Sequence, residues 1–461
     1  MNWKLIVKSL GIAMQYVAAT FLAPLIVAII YQEVYAGLVF ITAGVIVFIS
    51  GWMIGSIETI HEELSLKEGT ILVASLWLIV SLLSVPPFMI LSDISFIDGW
   101  YESMSAWGTI GLSDIIPEMQ TRSLLMFRST AQWIGGVGIV VLSIAGVFKA
   151  GQNIFLAEGR TEHLRPNIYN TVKTIWWIYL LYTILSIIAL LIVGMPLFDA
   201  INHTFTAIST SGLSTHSESI GYYNSFAIEM VLIVVMLMGS VSFANHHRLL
   251  QGKIKDFFVS PQQILLVILI FGVWLLIAPI QGSRESLFQI VSAVTTTGFS
   301  TVDLSPWTEF SKVLLIPIMI IGGSIGSTSG GIKLLRLWIM IKSTYWRVAT
   351  SLSPHLIVNR IIEGEKYDSD AVNIVFRTTF MYLVAVLISG IVLMSYGYSA
   401  VDSFFQVSST IGTVGLSVIT DTPPLAKFIL TIDMWLARLE FWAVIVFVAY
   451  FIKTLSNKIS E

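Results

Sequence analysis

The heptapeptide TTTGFST, residues 295–301, places four threonines, a serine and a glycine between long apolar stretches. Residues of these types are poor helix formers, so the chain is expected to leave its helix here. Three similar segments occur elsewhere, and all four copies fit the pattern Thr-x-Gly-(Leu or Phe)-Ser. The other copies are GTIGLS around Gly111, STSGLS around Gly212 and GTVGLS around Gly415.

The composition around these segments is that of an α-helical membrane protein. The chain of 461 residues is 56% hydrophobic and 11% charged, whereas soluble proteins carry about 25% charged residues. The apolar residues form runs long enough to cross a bilayer as helices. Cysteine is absent, which excludes disulfides and zinc-thiolate sites. The runs are Ile71–Leu91, Thr174–Val193, Phe226–Phe243, Ile264–Ile280 and Thr378–Met394.

Each copy of the glycine segment belongs to a larger repeated unit. A short, semi-polar stretch precedes every copy and is too short to span a bilayer, and a polar linker and a new apolar run follow. The unit therefore predicts a span, a half-helix, an extended glycine strand and a second span. A plain helical bundle with glycines for close packing is the alternative, but it does not explain the short stretches. These stretches are FIDGWYESMSAW, LFDAINHTFTAIS, ESLFQIVSAVT and AVDSFFQVSSTI.

Two further apolar segments, Leu5–Ile30 and Tyr35–Ile57, precede the first unit. The predicted fold is thus an all-α polytopic membrane protein with ten full spans and four re-entrant half-helices. Four units in a pseudo-four-fold arrangement surround one pore. The predicted divisions are residues 1–68 for the two extra helices, then 69–150, 151–252, 253–350 and 351–461 for the four units.

The distribution of charge predicts the orientation, because basic loops stay in the cytoplasm. Acidic residues such as Asp114, Asp303 and Asp421 flank the repeats, which are therefore expected to face the outside. Both termini are expected in the cytoplasm, and the chain in the cell membrane. The basic loops contain Lys4, Lys8, Lys149, Arg160, Arg165, Lys173, Arg248, Lys253, Lys255, Lys342, Arg347, Arg360, Lys366, Lys453 and Lys458.

The repeated strand suits the binding of an alkali cation. Irregular backbone at membrane depth is tolerated where it is buried in protein or lines a wet cavity. Four extended strands can form rings of carbonyl oxygens that replace the hydration shell of a cation. Half-helices that enter from outside point their negative C-terminal ends at the centre. The expected ligands are carbonyls of Thr109, Ile110, Gly111, Thr210, Ser211, Gly212, Thr296, Thr297, Gly298, Thr413, Val414 and Gly415.

The chain resembles the superfamily of P-loop cation channels and, more closely, the Trk/Ktr-type potassium uptake family. RSTAQWIGGVGIVVL (128–142), GGSIGSTSGGIK (322–333) and LARLEF (436–441) carry the closer resemblance. The two extra N-terminal spans favour the TrkH-like branch. The resemblance implies potassium as the ion, since a glycine in all four filters goes with potassium. A serine in the first filter goes with sodium-preferring members, and this chain has Gly111 there.

The stretch Gly322–Gly331 holds five glycines in ten residues, and each interior glycine costs a helix about 1 kcal/mol against alanine. It is expected to break its span between Leu314–Ile321 and Ile332–Ile341. Close packing through small residues is one interpretation; a flexible loop that gates the pore is the other, and the resemblance supports the gate. The expected gate residues are Gly322, Gly323, Ser324, Gly326, Ser327, Thr328, Gly330 and Gly331, together with Arg438.

Arg438 lies inside the last predicted span. A membrane-embedded arginine usually faces a cavity or a partner. None of its neighbours one helical turn away is acidic, so a structural pair with an acid on another helix is one interpretation. The other is a positive charge in the pore below the filter, which slows permeation until the gate moves. The resemblance implies this second role.

Among other polar residues, His246 and His247 are expected in a solvated cytoplasmic loop rather than a metal site. Asn202 fits a glycosylation sequon but falls in a predicted half-helix. Arg128 is expected to cap or anchor the outer end of its span.

The resemblance also implies partners: a second copy of the chain in a homodimer and cytoplasmic nucleotide-binding subunits of the RCK or TrkA type. No Gly-x-Gly-x-x-Gly nucleotide motif follows a strand in this sequence, so no cofactor other than bound K⁺ is expected. A secondary transporter that couples K⁺ to H⁺ or Na⁺ is an alternative, although repeats of one direction argue against it. So is a Na⁺-permeable member of the family. An intramembrane enzyme would need a catalytic or metal-binding set such as His-Glu-x-x-His, which the sequence lacks.

Overall fold

The computed structural model describes residues 1–59, 64–144, 168–353, 359–363 and 365–460. This part of the chain is built almost entirely from α-helices. Its one small sheet pairs Ile361–Ile362 with Glu365–Lys366 in antiparallel register. Three basic residues of the orientation argument, Lys149, Arg160 and Arg165, lie outside the described residues, as does the predicted boundary at residue 150.

The N-terminal segment is a pair of helical spans. Helix α1 (Trp3–Ala18) continues through a 3₁₀ turn (Ala19–Phe21) into α2 (Leu22–Ile30), and α3 (Val34–Gly55) returns beside them. Gly11 of α1 packs against the backbone of Gly51 and Gly55 of α3, where a side chain would not fit. Such close contact between small residues is typical of helix pairs in membranes.

Four units follow, each with a first span, a half-helix and a second span. In the first, α4 (Leu66–Leu83) and α5 (Val85–Ser92) precede half-helix α6 (Phe96–Trp107) and α7 (Arg122–Ile144). The second has α8 (Ile168–Ile192), half-helix α9 (Leu197–Ile208), α10 (Phe226–Ser240) and α11 (Phe243–Leu250). A short helix, α12 (Ile254–Phe258), leads into the third.

The third unit has α13 (Pro261–Gln281), half-helix α14 (Ser283–Val294), α15 (Glu309–Ile321) and α16 (Leu334–Leu352). The fourth has α17 (Ser369–Ser395), half-helix α18 (Ala400–Ile411), α19 (Pro424–Arg438) and α20 (Trp442–Ser460). The second span of the third unit is thus interrupted between Ile321 and Leu334, where the glycine-rich stretch predicted a break.

The half-helices are equal in length and have the same charge at the start. Each contains 12 residues, or roughly 18 Å, about half of the hydrocarbon thickness. Each has an acidic side chain in its first turn, where a negative charge offsets the positive end of the helix dipole. These residues are Asp98, Asp199, Glu285 and Asp402.

The number of straight spans is smaller than predicted. Six helical segments of the described chain are long and apolar enough to cross a membrane, and eight if two bent pairs count as one span each. The other two predicted spans correspond to α7, which carries Arg128 and Gln132, and to the interrupted pair α15–α16. The polar side chains and the break reduce their hydropathy.

Both bent pairs correct a predicted continuous span. Helices α10 and α11 meet at 107°, and α19 and α20 meet at 111°. The first bend places His246 in α11 rather than in a solvated loop. His246 is buried, and its ring nitrogens lie 3.1 Å from the Tyr182 hydroxyl and 2.8 Å from the Met238 carbonyl. It is therefore a structural core histidine.

Polar contacts near the outer ends of the half-helices link each unit to the next. In each case a side chain of one second span reaches the half-helix of the following unit, and the fourth unit reaches the first. The pairs are Ser129–Asn202 at 2.6 Å, Glu229–Arg284 at 2.7 Å, Lys312–Asp402 at 2.8 Å and Lys427–Asp98 at 2.6 Å. The buried position of Asn202 also agrees with its exclusion as a glycosylation site.

Candidate functional site

The four half-helices all end in the same way. In each, the threonine two positions before the glycine adopts a left-handed conformation, with φ between 51° and 59°. Its N–H and the next N–H bond back to carbonyls of the last helical turn, as Thr109 and Ile110 do to Ala106 and Ser105. This is the Schellman arrangement, which usually has glycine at the left-handed position. The other three threonines are Thr210, Thr296 and Thr413.

Left-handed and ordinary residues then alternate along each strand. The residue after the threonine has negative φ, and the glycine again has positive φ, between 72° and 94°. In an ordinary strand successive carbonyls point to opposite sides, because all residues share one sign of φ. Alternating the sign turns successive peptide planes so that several carbonyls can face the same side. These glycines are Gly111, Gly212, Gly298 and Gly415.

The four strands contact one another in a closed order. At each glycine a Cβ atom would collide with the carbonyl oxygen that precedes the glycine of the next unit. No larger residue fits without displacing that carbonyl. Gly111 faces Ser211, Gly212 faces Thr297, Gly298 faces Val414, and Gly415 faces Ile110. The twelve residues predicted as ligands are therefore brought together in one ring.

Hydroxyl groups brace the strands from behind. The hydroxyls of Thr295 and Thr297 lie 2.8 Å apart, and Ser292 donates to the Phe299 carbonyl at 2.7 Å. Ser105 and Ser409 accept hydrogen bonds from the N–H groups of Gly111 and Gly415. Within TTTGFST, the Thr295 hydroxyl donates to the Val291 carbonyl at 2.7 Å and the Thr296 hydroxyl accepts from the Gly330 N–H at 2.9 Å. These two threonines therefore satisfy buried backbone groups between apolar helices.

A cavity of about 790 Å³ lies on the side of the ring that the charge distribution predicts to face outward. The four glycines form its floor, and carboxylates including Asp114, Glu218, Asp303 and Asp421 line its wall. Two cationic or titratable side chains, Arg128 and His216, also line it. Carboxylates that line a cavity raise the local concentration of cations within it.

The wall of this cavity joins the first and second units. Glu118 accepts hydrogen bonds from the backbone N–H and the hydroxyl of Ser217, and His216 lies 3.9 Å from the same carboxylate. Burial raises the pKa of Glu118, but the hydrogen bonds from Ser217 lower it more, so the pKa lies below its ordinary value. The carboxylate therefore stays charged in mildly acidic solution.

Arg128, which was predicted to cap or anchor the outer end of its span, lies six residues after the start of α7. Its side chain is buried, and Nη2 donates to the Ser113 hydroxyl at 3.1 Å, just beyond the first glycine. Glu102 accepts from the same hydroxyl at 2.9 Å. Sequence reasoning missed this contact because Arg128 lies on α7, Glu102 on α6 and Ser113 on the strand between them, without a shared motif.

The glycine-rich stretch forms a loop directly below the ring. The N–H of Gly330 donates to the Thr296 hydroxyl at 2.9 Å, and the Thr210 hydroxyl lies 3.3 Å from that of Thr328. Gly330 also packs so closely on Thr413 that a side chain would collide with it. The loop therefore contacts the left-handed threonines of three units.

Backbone hydrogen bonds hold the loop on both sides. Ser324 and Thr328 donate to the carbonyls of Ser240 and Gly239, at the bend between α10 and α11. On the other side, Ile332 donates to the Ile320 carbonyl at 2.8 Å. The predicted loop residues are thus folded and largely buried, with Ser324, Ser327 and Thr328 among the buried positions.

Arg438 is buried next to this loop and binds carbonyl oxygens. Its guanidinium donates to the carbonyl of Gly135 at 2.6 Å and to that of Thr328 at 3.4 Å. Among the described residues, no carboxylate accepts a hydrogen bond from Arg438; the nearby Glu440 pairs with Arg336. The side chain connects the second span of the first unit to the loop.

The fold and this ring define a polytopic membrane protein with re-entrant half-helices around a backbone-carbonyl site. The model of the TrkH family, described as a cation transport protein, matches residues 37–458. The chain belongs to the TrkH family.

Similar proteins cover almost the whole chain. An uncharacterized cation transporter of Methanocaldococcus jannaschii is 34% identical over 98% of this chain and 96% of its own length. The Trk system potassium uptake protein TrkH of Escherichia coli is 28% identical over 97% of this chain and 98% of its own. The crystal structure of the potassium transporter TrkH from Vibrio parahaemolyticus matches with a TM-score of 0.87 at 28% identity, over 97% of this chain and 98% of that one.

Proposed function

We propose that this chain takes up potassium across the cell membrane and that the ring of strands is its selectivity filter. The observation that carries the proposal is the closed order of glycine–carbonyl contacts, in which each strand limits the position of the next. Potassium is the proposed ion because relatives along the whole chain are named potassium uptake proteins.

The filter selects by replacing water with carbonyl oxygens. A cation that leaves the acidic outer cavity loses its hydration shell and is bound by main-chain oxygens of the four strands. The C-terminal ends of the half-helices add negative potential at the centre. The left-handed threonines and glycines set the direction of the carbonyls, so the ligands are part of a rigid framework.

The loop below the filter and Arg438 form the proposed gate. The loop contacts the threonines at the inner end of the strands, and Arg438 places a positive charge beside it. A cation that leaves the filter inward meets both. Opening requires the hydrogen bonds from Arg438 to the loop and to Gly135 to break.

The assembly proposed for the chain follows from its family. A homodimer with cytoplasmic nucleotide-binding subunits would control the gate, and the basic loops and both termini would face the cytoplasm. No part of this assembly requires a cofactor within the chain other than bound K⁺.

One observation favours a second candidate, in which K⁺ moves with H⁺ or Na⁺. Asp433 is a buried carboxyl in α19, one of whose oxygens has no hydrogen-bond partner among the described residues. Buried acids in membrane helices often carry protons. Uptake that depends on an imposed proton or sodium gradient would support this candidate; uptake driven by the K⁺ gradient alone would support the channel.

The filter is tested with purified protein in liposomes by comparing fluxes of K⁺, Rb⁺ and Na⁺. Gly298→Ser is expected to lower the ratio of K⁺ to Na⁺ flux by about tenfold, because its side chain displaces the Val414 carbonyl. Gly272→Ser is the control, since nothing lies within 4 Å of a Cβ there. Unchanged potassium selectivity in Gly298→Ser would contradict the filter.

A further inference from the structure

One side chain recurs at the same place behind each filter strand. It lies nine positions before the glycine, in the middle of the half-helix, and it is polar in all four units. All four side chains are almost fully buried, although they differ in type. They are Glu102, His203, Gln289 and Gln406, with exposed fractions of 2%, 0%, 0% and 1%. We name them the brace residues.

Two brace residues hold their strands in the same way. Glu102 accepts from the Ser113 hydroxyl at 2.9 Å and from the Asp114 N–H at 2.8 Å. Gln406 accepts from the Ser417 hydroxyl at 2.9 Å and from the Val418 N–H at 3.3 Å. In both units the partners lie two and three positions beyond the glycine. Each of these four hydrogen bonds needs an acceptor oxygen, and both a carboxylate and an amide side chain supply one.

The histidine of the second unit makes the equivalent contact. Nδ1 of His203 lies 2.9 Å from the Asp199 carbonyl, which can only accept, so Nδ1 carries the proton. In the neutral ring Nε2 is then free to accept from the Ser214 hydroxyl, 2.9 Å away. Ser214 again lies two positions beyond the glycine.

The third unit has the weakest brace. Gln289 donates to the Thr301 hydroxyl at 3.4 Å, and its amide oxygen has no hydrogen-bond partner among the described residues. The outer part of this strand is held instead by the second unit, whose Ser219 hydroxyl accepts from the Ser300 N–H at 3.2 Å. The side chain at this position therefore makes short contacts in the first, second and fourth units and one long contact in the third.

We propose that the brace residues are positioning residues that fix the outer end of each filter strand and thereby maintain the selectivity of the ring. This inference rests on the proposed filter. A strand that is anchored only at its half-helix could rotate its outer peptides, whereas a second anchor beyond the glycine fixes the glycine carbonyl from both sides. The first unit adds Arg128, whose guanidinium donates to the same Ser113 hydroxyl that donates to Glu102.

The experiment removes the acceptor of the fourth unit. Gln406→Met has a similar size but no oxygen, and it loses both hydrogen bonds. The ratio of K⁺ to Na⁺ flux in liposomes is expected to fall by at least about fivefold, the effect of losing one buried hydrogen bond. Gln406→Glu keeps an acceptor oxygen in either protonation state, as Glu102 does, and is expected to restore the ratio. An unchanged ratio in folded Gln406→Met, or an equal loss in Gln406→Glu, would overturn the proposal.

Two further variants separate positioning from folding. Ser417→Ala removes the other partner of the shared hydrogen bond and is expected to lower the ratio as well. Combined with Gln406→Met, it should lower the ratio by less than the product of the two separate fold-changes, because both changes remove that same hydrogen bond. Gln289→Met is the matched control, with a smaller expected change because its contact is long. If Gln406→Met does not fold, Ser417→Ala decides: an unchanged ratio there overturns the proposal.

The proposed filter and its braces can fail separately. If the unmodified protein does not prefer K⁺, the filter itself is wrong. If the unmodified protein prefers K⁺ and Gly298→Ser loses this preference, a folded Gln406→Met with unchanged selectivity refutes only the braces.

Discussion

At the scale of single residues, the most unusual choice is a threonine in a left-handed conformation. A β-branched residue pays a steric penalty there, and strain of this kind costs on the order of 1–3 kcal/mol. The four threonines tolerate it because two backbone hydrogen bonds at the end of the half-helix fix each one. In two of the four, the hydroxyl supplies what glycine could not: Thr296 accepts from the Gly330 N–H, and the Thr210 hydroxyl lies 3.3 Å from that of Thr328.

Arg438 shows how carbonyl oxygens can hold a charged side chain in the membrane. Its guanidinium donates to the backbone carbonyl oxygens of Gly135 and Gly136 in α7. The absence of side chains at these positions leaves room for the ends of two half-helices, because a Cβ at Gly135 would collide with the Trp107 carbonyl and a Cβ at Gly136 with Ser209. The hydrogen bonds of Arg438 therefore depend on the conformations of α7 and of the loop.

Substitution of Arg438 is expected to increase ion flow. In Arg438→Gln, K⁺ flux in liposomes should rise by about tenfold, because a unit charge roughly 10 Å away in a medium of effective dielectric constant near 20 contributes about 1.7 kcal/mol to the barrier. The K⁺ to Na⁺ ratio should stay the same, since the filter is untouched. Arg377→Gln, at an exposed position on α17, is the control. Unaltered flux in Arg438→Gln would favour a purely structural role.

Much of the residue pattern could be predicted from sequence, and the reason is repetition. A single Thr-x-Gly-Leu-Ser has little meaning, but four copies predict four equivalent backbone sites. The partners of Arg438 could not be predicted, because they are main-chain oxygens with no signature in sequence. The same holds for the contact of Arg128 with Ser113, which only the packing of α7 on the first strand creates.

At the scale of elements, the interruption of helices creates the region below the ring of strands. The loop 322–333 occupies the space that a continuous span would have filled, and the bend between α10 and α11 gives it two carbonyl acceptors. Each broken element thus satisfies backbone groups of the other. This mutual arrangement keeps irregular backbone stable at membrane depth.

Shortening of the loop is expected to open the path. Deletion of Ser327–Ser329 removes the contacts of Thr328 with Thr210, Gly239 and Arg438. The K⁺ flux in liposomes should then increase several-fold, as the loop no longer reaches the inner end of the strands. Retained preference for K⁺ over Na⁺ would show that the filter is intact. A deletion variant that folds and conducts like the unmodified protein would contradict the gate.

The half-helices were predictable as elements, and two bends were not. FIDGWYESMSAW and AVDSFFQVSSTI match α6 and α18 at both ends, because short polar stretches between long apolar runs mark them. The bend after Arg438 has no glycine or proline; Glu440 and Phe441 adopt positive φ there instead. Apolar composition continues across this bend, so hydropathy alone predicts one span.

At the scale of the whole molecule, the contacts form two closed circuits. One joins the strands at the ring, and the other joins each second span to the next half-helix near the outer ends. The extra pair of Lys427 with Asp114 ties the fourth unit to the outer strand of the first. Closure through the first and last units makes the ring depend on the complete chain.

Because the ring is closed, an ion bound within it should stabilise the entire protein. Binding to the native state alone contributes about 2.7 kcal/mol at an ion concentration of 100 Kd. Purified protein in detergent is therefore expected to unfold at a temperature several degrees higher in KCl than in NaCl of equal ionic strength. The unfolding temperatures must be compared at equal ionic strength, because the outer ion pairs are then screened equally in KCl and NaCl.

The filter glycines make this thermal measurement specific. Gly298→Ser should remove the difference between KCl and NaCl, while Gly272→Ser should retain it, because only the former displaces a ring carbonyl. Arg438→Gln should also retain the difference, since the binding carbonyls lie above the arginine and not beside it. Equal unfolding temperatures of the unmodified protein in the two salts, over a range of concentrations, would show that the ring does not bind K⁺ in preference to Na⁺.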